Sequence, residues 1–348
     1  MQDQTDNSSV PVRLSVVVPC YNESACIQLL YDRLSAVCQS VFGTNYKIIL
    51  INDGSTDDSW AMIQDLNAQD PHVAGVNLSR NHGQQNALTA GLVAADGDVI
   101  FILDADLQDP PENLGPMFEI MKKEGADIIY GQRVTREGET WFKKFSSRAF
   151  YKSFRKYTNV PIPYDTGDYR LMNRRALDAY LAMPETHRFF RGLSTWIGMK
   201  QVAFPFNRDM RVAGQSKYPL WKMISLSIDA FTAFSIRPLK LSIYCGFLML
   251  FVGVLFLFYA LYHWFVGSEF PGLTGIISLV VLLSAAQFIV LGMIGEYLGR
   301  LYEQGKGRPL YFVHEMIGID HKPKVKLGYV PSQDLQKRMG SIMKAGEN

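Results

Sequence analysis

Residues 99–108 read VIFILDADLQ: five apolar residues, then two aspartates one residue apart, then a glutamine. An apolar run of this length that ends on a polar cluster reads as a buried strand whose carboxyl end opens on a site. Runs of the same kind lie at Leu14–Val18 (LSVVV), Tyr46–Ile51 (YKIILI), Val73–Leu78 and Asp127–Tyr130. Between them the spacing predicts helices at Ala25–Val41, Ser59–Ala68, Gln84–Ala95 and Glu112–Glu124. Ser55, Thr56 and Asp57 mark the start of the second helix, and Pro110–Pro111 that of the fourth. Strand and helix thus alternate from Arg13 to Gly131, and the strands are apolar on both faces. The expectation is an α/β fold with an open, mostly parallel, doubly wound sheet. Such sheets bind ligands outside the carboxyl ends of their strands, so the residues just after each strand carry the most information.

Beyond Gly131 the alternation stops. Trp141–Tyr157 reads as a basic, aromatic helix and Asp168–Asn173 as a short strand. Leu220–Ile236 is largely apolar, with Lys222, Ser225, Asp229 and Thr232 on one narrow stripe, the pattern of an interfacial helix lying on a membrane. Leu241–Val266 carries no charged residue and would be roughly 39 Å long as a helix, enough to cross a bilayer. Leu273–Leu298 is a second long apolar stretch, with Gln287 inside and Glu296 near its end. Arg237 and Lys240 precede the first span, Arg300, Lys306 and Arg308 follow the second, and the loop Gly267–Gly272 has neither Lys nor Arg. Cations on both outer flanks predict that both face the cytoplasm. The expected organisation is a disordered leader over 1–12, a cytoplasmic catalytic domain over 13–219, the interfacial helix over 220–236, transmembrane helices over 241–266 and 273–298, and a cytoplasmic tail over 299–348. The leader has no apolar core of the kind a signal peptide needs. The net charge of +2 over 348 residues gives no basis for bulk binding to nucleic acid. Cys20, Cys26, Cys38 and Cys245 show no paired spacing, as expected of reduced thiols in a cytosol-facing domain.

Each strand end carries polar residues. Asp104 and Asp106 can converge on one hard divalent cation, with Gln108 as a further oxygen donor; Mg²⁺ or Mn²⁺ held this way completes its shell with diphosphate oxygens and water. Asp53, after the second strand, suits hydrogen bonding to a base or ribose, or capping of the next helix, a task that also fits Ser55 or Asp57. Gly54 beside it permits close backbone approach. Pro19, Tyr21 and Glu23 follow the first strand, and Arg80, His82 and Gln84 the third.

The segments PCYNE (19–23), NDGSTDDS (52–59), SRNHGQQNAL (79–88) and LDADLQDPPE (103–112), in this order, resemble family 2 glycosyltransferases of the GT-A fold. GQR (131–133), DTGDYRLMNR (165–174), FFRG (189–192) and AGQSKY (213–218), followed by two apolar spans, extend the resemblance to polyprenyl-phosphate hexosyltransferases of the bactoprenol glucosyltransferase and dolichol-phosphate mannose synthase kind. It covers Leu14 to Tyr311. The resemblance implies that Pro19, Tyr21, Glu23, Asp53 and Arg80 bind the nucleotide of a UDP-sugar, with Asp53 on the uracil. Asp104 would hold the ribose and support the metal, while Asp106 and Gln108 ligate Mg²⁺ or Mn²⁺. Arg133 and Arg211 would contact phosphates; Lys143, Ser147 and Lys217, with both arginines, would surround the acceptor phosphate. Lys143 stands where relatives often have Arg. Asp168 and Arg170 would face the sugar. Glucose from UDP-glucose is the first choice, with GlcNAc, galactose, a 4-amino-arabinose derivative and GDP-mannose as alternatives. The implied acceptor is undecaprenyl or another polyprenyl phosphate, with a glycan chain or diacylglycerol as rivals. Membrane lipid is an implied partner, and relatives of this kind are often tetrameric, so a homo-oligomer is implied.

Overall fold

The computed structural model describes residues 12–134, 163, 166–208, 235, 237–266, 273–319 and 327–328. They form two compact units, one built on a sheet and one containing two long helices.

The sheet unit opens with β1 (Leu14–Cys20), α1 (Ser24–Phe42), β2 (Tyr46–Asn52), α2 (Ser59–Gln69), β3 (Val73–Leu78), α3 (Gln84–Ala94) and β4 (Val99–Ile102). Each predicted strand and helix of this half is present, with ends displaced by a few residues or less. A short 3-10 turn at Pro111–Asn113 leads into α4 (Leu114–Glu124), and β5 (Ile128–Arg133) follows. The apolar runs become strands because both faces are covered: every residue of β4, and all but Pro19 of β1, is buried. In α1, Cys26, Ile27, Leu30, Leu34 and Cys38 recur at helical spacing and face the sheet. α4 ends where Gly125 takes the left-handed conformation and its N–H reaches back to the carbonyls of Met121 and Lys122. α3 is the tightest contact. Ala87 to Ala94 are all buried, and a Cβ on Gly91 would lie 2.5 Å from Val17 Cγ1. Small residues let this helix sit low on the sheet, which brings its first turn to the strand ends.

The second half contributes β6 (Thr166–Asn173), α5 (Arg174–Leu181), α6 (Phe190–Trp196) and β7 (Gln201–Phe206). The Asn173 side chain caps α5 by accepting from the Ala176 N–H. The sheet order is β7-β5-β6-β4-β1-β2-β3-β8, where β8 is Val313–Ile317. β6 runs antiparallel to both β4 and β5, while β7 runs parallel to β5. The mostly parallel sheet expected from the sequence therefore contains a reversed strand near its middle.

A second reversed strand closes the far edge. β8 (Val313–Ile317) pairs antiparallel with β3, Gly75 facing Ile317. This stretch was expected to be part of a tail. Instead Tyr311 is buried and the Ser79 N–H donates to the Phe312 carbonyl, so the chain that follows the long helices is built into the sheet.

The other unit contains α7 (Arg237–Val266) and α8 (Leu273–Gly305), whose windows Ser242–His263 and Leu279–Gly305 are long and apolar enough to cross a membrane. Phe247, Leu250, Phe251, Phe258, Phe288 and Ile289 are exposed on them. The expected helix at Trp141–Tyr157 lies outside the described residues, as do the loop Gly267–Gly272 and all of the interfacial stretch but Ser235.

Candidate active site

The carboxyl ends of β1, β2 and β3 are sewn together by their loops. Asn22, at φ +54°, donates its N–H to Ser55 Oγ and accepts from the Thr56 N–H. The Glu23 N–H reaches Ser59 Oγ, and the Ser24 N–H reaches Asp57. Asp53 is buried, and its two oxygens accept from the backbone N–H groups of His82 (2.7 Å) and Gly83 (3.0 Å). Burial pushes the Asp53 carboxyl up, and those two donors oppose the shift. Asp53 therefore fixes the β3–α3 loop, and any contact with a base would use its remaining lone pairs. Pro19 and Glu23 are half-buried here, while Tyr21 and Arg80 are exposed. The His82 ring takes a structural part, its Nε2 facing the Phe312 N–H at 3.4 Å.

At the end of β4 the chain turns sharply. Leu107 has φ +58°, uncommon for a residue with a branched side chain, and that side chain is fully buried. Anchored in this way, it leaves Asp106 and Gln108 on the same turn, and the Gln108 N–H donates to Asp106 Oδ1 at 3.2 Å. Asp104 Oδ1 accepts from Gln84 Nε2 at 2.8 Å. Loss of hydration, with the Asp168, Asp109 and Asp106 carboxylates nearby, pushes Asp104 up to about 7; Arg191 works in the opposite direction.

The reversed strand β6 supplies the other wall. Ile102 pairs with Arg170, and continuing that antiparallel register sets Asp168 across from Asp104. Asp168 is buried; its oxygens accept from Arg191 Nε at 2.9 Å and Gln85 Nε2 at 3.0 Å. Burial alone would raise it, but the guanidinium of Arg191, the charge of Arg170 and the Gln85 amide hold it below the usual carboxylate range. Gln85 Oε1 also accepts the Phe190 N–H, so one amide ties α3, β6 and α6 together. Arg170 is wholly buried, donating to Ser194 Oγ with its guanidinium over the Phe190 ring. That burial corrects the expectation that it faces the sugar: Arg191 is the arginine beside Asp168.

Arg133 ends β5, and Arg208 lies just past β7, the strand beside it. Arg133 Nη2 is 3.9 Å and Arg208 Nε 3.6 Å from Oδ1 of Asp109, a carboxylate with no exposure. Arg208 Nη2 also stands 3.8 Å from Asp106 Oδ2. Among the described residues, no three His, Cys, Asp or Glu side chains converge as a metal cage. Lys143, Ser147, Arg211 and Lys217 lie outside the described residues.

The chain that carries this strand-end cluster of carboxylates and arginines matches known proteins over most of its length. Residues 15–181 match the family model described as Glycosyl transferase family 2. A Bacillus subtilis protein named as an uncharacterized glycosyltransferase, YkcC, is 44% identical over 312 residues, 89% of this chain and 96% of its own. The chain belongs to glycosyl transferase family 2. It is a glycosyltransferase of the GT-A fold. The bactoprenol glucosyl transferase of Shigella phage SfV is 32% identical over 303 residues, 87% of this chain and 98% of that protein. Among solved structures, the mannosyltransferase PcManGT from Pyrobaculum calidifontis, with GDP-Man and Mn²⁺, aligns at a TM-score of 0.47 and 19% identity, covering 65% of this chain and 64% of that one.

Within this family 2 glycosyltransferase, Asp104, Asp106, Gln108, Asp168 and Arg133 come to the same end of the sheet. Sequence reasoning did not single out Gln85, Asp109, Arg191 or Arg208. Asp109 and Arg191 sit inside quoted motifs, LDADLQDPPE and FFRG, and Gln85 inside SRNHGQQNAL, so position within a motif was the available signal. Arg208 had none.

Proposed function

We propose that this glycosyltransferase moves a hexose, glucose in the first place, from a UDP-sugar to a polyprenyl phosphate at the cytoplasmic face of a membrane, inverting the anomeric carbon. One observation carries the reading. The likeness to the bactoprenol glucosyl transferases extends well past residues 15–181; a match of 303 residues in a chain of 348 must take in α7 and most of α8. A sugar acceptor dissolved in water gives no reason for two exposed apolar helices, whereas a lipid acceptor does. Arg237 and Lys240 in the first turn of α7, and Lys306 and Arg308 after α8, support a hairpin with both flanks in the cytoplasm.

On this reading Asp53, Pro19, Tyr21, Glu23 and Arg80 surround the uridine, and Asp104 the ribose. Asp106, with Gln108 and Asp104 beside it, would hold Mg²⁺ or Mn²⁺. The donor set fits such an ion. Asp106 offers hard oxygens, a guanidinium already stands 3.8 Å from Oδ2, and so few protein carboxylates suit an ion whose shell is completed by a diphosphate. When bound, the ion supplies charge that stabilises the leaving diphosphate. Arg133 and Arg211 serve the phosphates, and Lys143, Ser147 and Lys217 the acceptor. A phosphomonoester has a second pKa of about 6, so the attacking oxygen is largely ionised at neutral pH and needs no strong base. Asp168, held ionised by Arg191 and Gln85, then acts by orienting a sugar hydroxyl.

The test is a panel of UDP-glucose, UDP-GlcNAc, UDP-galactose and GDP-mannose with undecaprenyl phosphate, read by mass spectrometry of the lipid product. A glucosyl phosphate lipid from UDP-glucose is expected. No prenyl-linked product from any donor would refute the reading.

A further inference from the structure

Asp109 is the least comfortable group in the site. It has no exposure, and among the described residues neither carboxylate oxygen has a hydrogen-bond partner. A carboxylate in that state is costly unless its charge is answered. The answer comes from two guanidiniums, Arg133 at 3.9 Å and Arg208 at 3.6 Å, brought in by the neighbouring strands β5 and β7. Both distances exceed those of a hydrogen bond, so the pairing is electrostatic and loose. Arg208 reaches further, to 3.8 Å from Asp106 Oδ2, again without a hydrogen bond. The contrast with Arg191, which grips Asp168 at 2.9 Å, is plain.

We infer that Arg208 is a positioning residue that fills the cation place beside Asp106 in the donor-free enzyme, tethered by Asp109, and gives up that place when the metal enters. The inference rests on the reading of Asp106 as metal ligand. A loose pair between side chains 26% and 15% exposed is one that a hard dication can displace. Asp109 lies behind the pair and keeps the displaced guanidinium close by, where the donor's phosphates would arrive. The exchange keeps a positive charge against Asp106 at every stage.

The experiment is Mn²⁺ binding to the full-length protein in detergent, followed by the EPR signal of free Mn²⁺, with and without UDP. Without nucleotide, Arg208→Gln should bind Mn²⁺ about three- to tenfold more tightly than wild type, because a competing charge is gone, while Arg208→Lys should stay near wild type. Equal or weaker binding by Arg208→Gln, with Mn²⁺ binding intact in wild type, would overturn this inference alone. Failure of wild type to bind Mn²⁺ even with UDP would overturn the metal reading and this inference with it. A wild-type measurement guards against a variant that does not fold: phenylglyoxal labelling of Arg208, mapped by mass spectrometry, should speed up at least about twofold when Mn²⁺ saturates the site. Arg188, 6% exposed, serves as the unchanged reference. Unchanged labelling of Arg208 would also overturn the inference.

Discussion

Gly54→Ala tests whether the loops after β2 and β3 depend on a close backbone approach. Gly54 has φ +64°, and a Cβ there would lie 2.5 Å from Asn81 N and 2.8 Å from Arg80 Cα. The neighbour is backbone, so no side chain can rotate away. The left-handed conformation itself costs alanine about 1 kcal/mol. The larger effect follows from moving residues 80–81, because the next two N–H groups, of His82 and Gly83, are those held by Asp53. Hydrogen bonds to a charged group contribute about 1.5–3 kcal/mol each, and water recovers part of that in a half-open site. A total near 3 kcal/mol is expected, a fall in Tm of about 6–12 °C for a domain of this size. Gly125→Ala is the matched control: φ is +57°, and nothing lies within 4 Å of its Cβ position, so only the conformational cost applies. Thermal unfolding in detergent and calorimetric titration with UDP are the assays. Gly54→Ala should lose at least about tenfold in UDP affinity, and Gly125→Ala should lose none. Equal Tm shifts in the two variants, with UDP affinity unchanged in Gly54→Ala, would refute the argument.

Asp168→Asn should cost about 2 kcal/mol of stability, by leaving Arg191 half-buried without its anion. Because Asp168 is held below the usual carboxylate range, its contribution is full above about pH 4 and is lost as pH falls through its folded pKa. The Tm gap between wild type and the variant should therefore shrink below about pH 4, and a gap independent of pH would contradict the assignment. Tyr311→Ala, which empties a buried site beside β8, should cost about 3–5 kcal/mol and speed hydrogen exchange at the Ser79 amide; unchanged exchange would mean that β8 is held by other contacts. A cysteine replacing Ser268 should react with an impermeant thiol reagent from outside the cell, and labelling only from the cytoplasmic side would reverse the proposed topology.

The strands β1 to β4 were legible because burial on both faces leaves an unbroken apolar run, and α1 because its buried residues keep a helical period. β8 was not legible. Its sequence, VHEMI, is short and only half apolar, and its partner β3 lies more than two hundred residues earlier. Nothing local announces that a chain will return to a sheet edge after two long apolar helices. The carboxylates were legible for a similar reason to the strands, since Asp53, Asp104 and Asp106 each follow an apolar run. Gln85 was not, because an amide in the first turn of a helix looks like any solvated residue until Phe190, 105 residues away, is seen to donate to it.

Strand direction is the feature that composition and period could least supply, and it decides the chemistry of the site. Had β6 run parallel to β4, Asp168 would lie at the opposite end of the sheet from Asp104, since both residues sit near strand ends. Reversal puts the start of β6 at the carboxyl end of β4 and brings together two carboxylates 64 residues apart in the chain. Their environments then push them in opposite directions. Asp168 takes Arg191 and Gln85 and stays ionised; Asp104 accepts from the neutral amide of Gln84 and, with burial as the main cause, moves up to about 7. The Asp168, Asp109 and Asp106 carboxylates add to that rise, and a cation brought to Asp106 would oppose it by Coulomb attraction. Donor-free and donor-bound enzyme should therefore differ in proton count at neutral pH. Binding of UDP with Mn²⁺ near pH 7 should release protons, seen as a binding enthalpy that varies with the ionisation enthalpy of the buffer. The release should be lost in Asp104→Asn if Asp104 is its source, and its persistence there would assign the proton to another group.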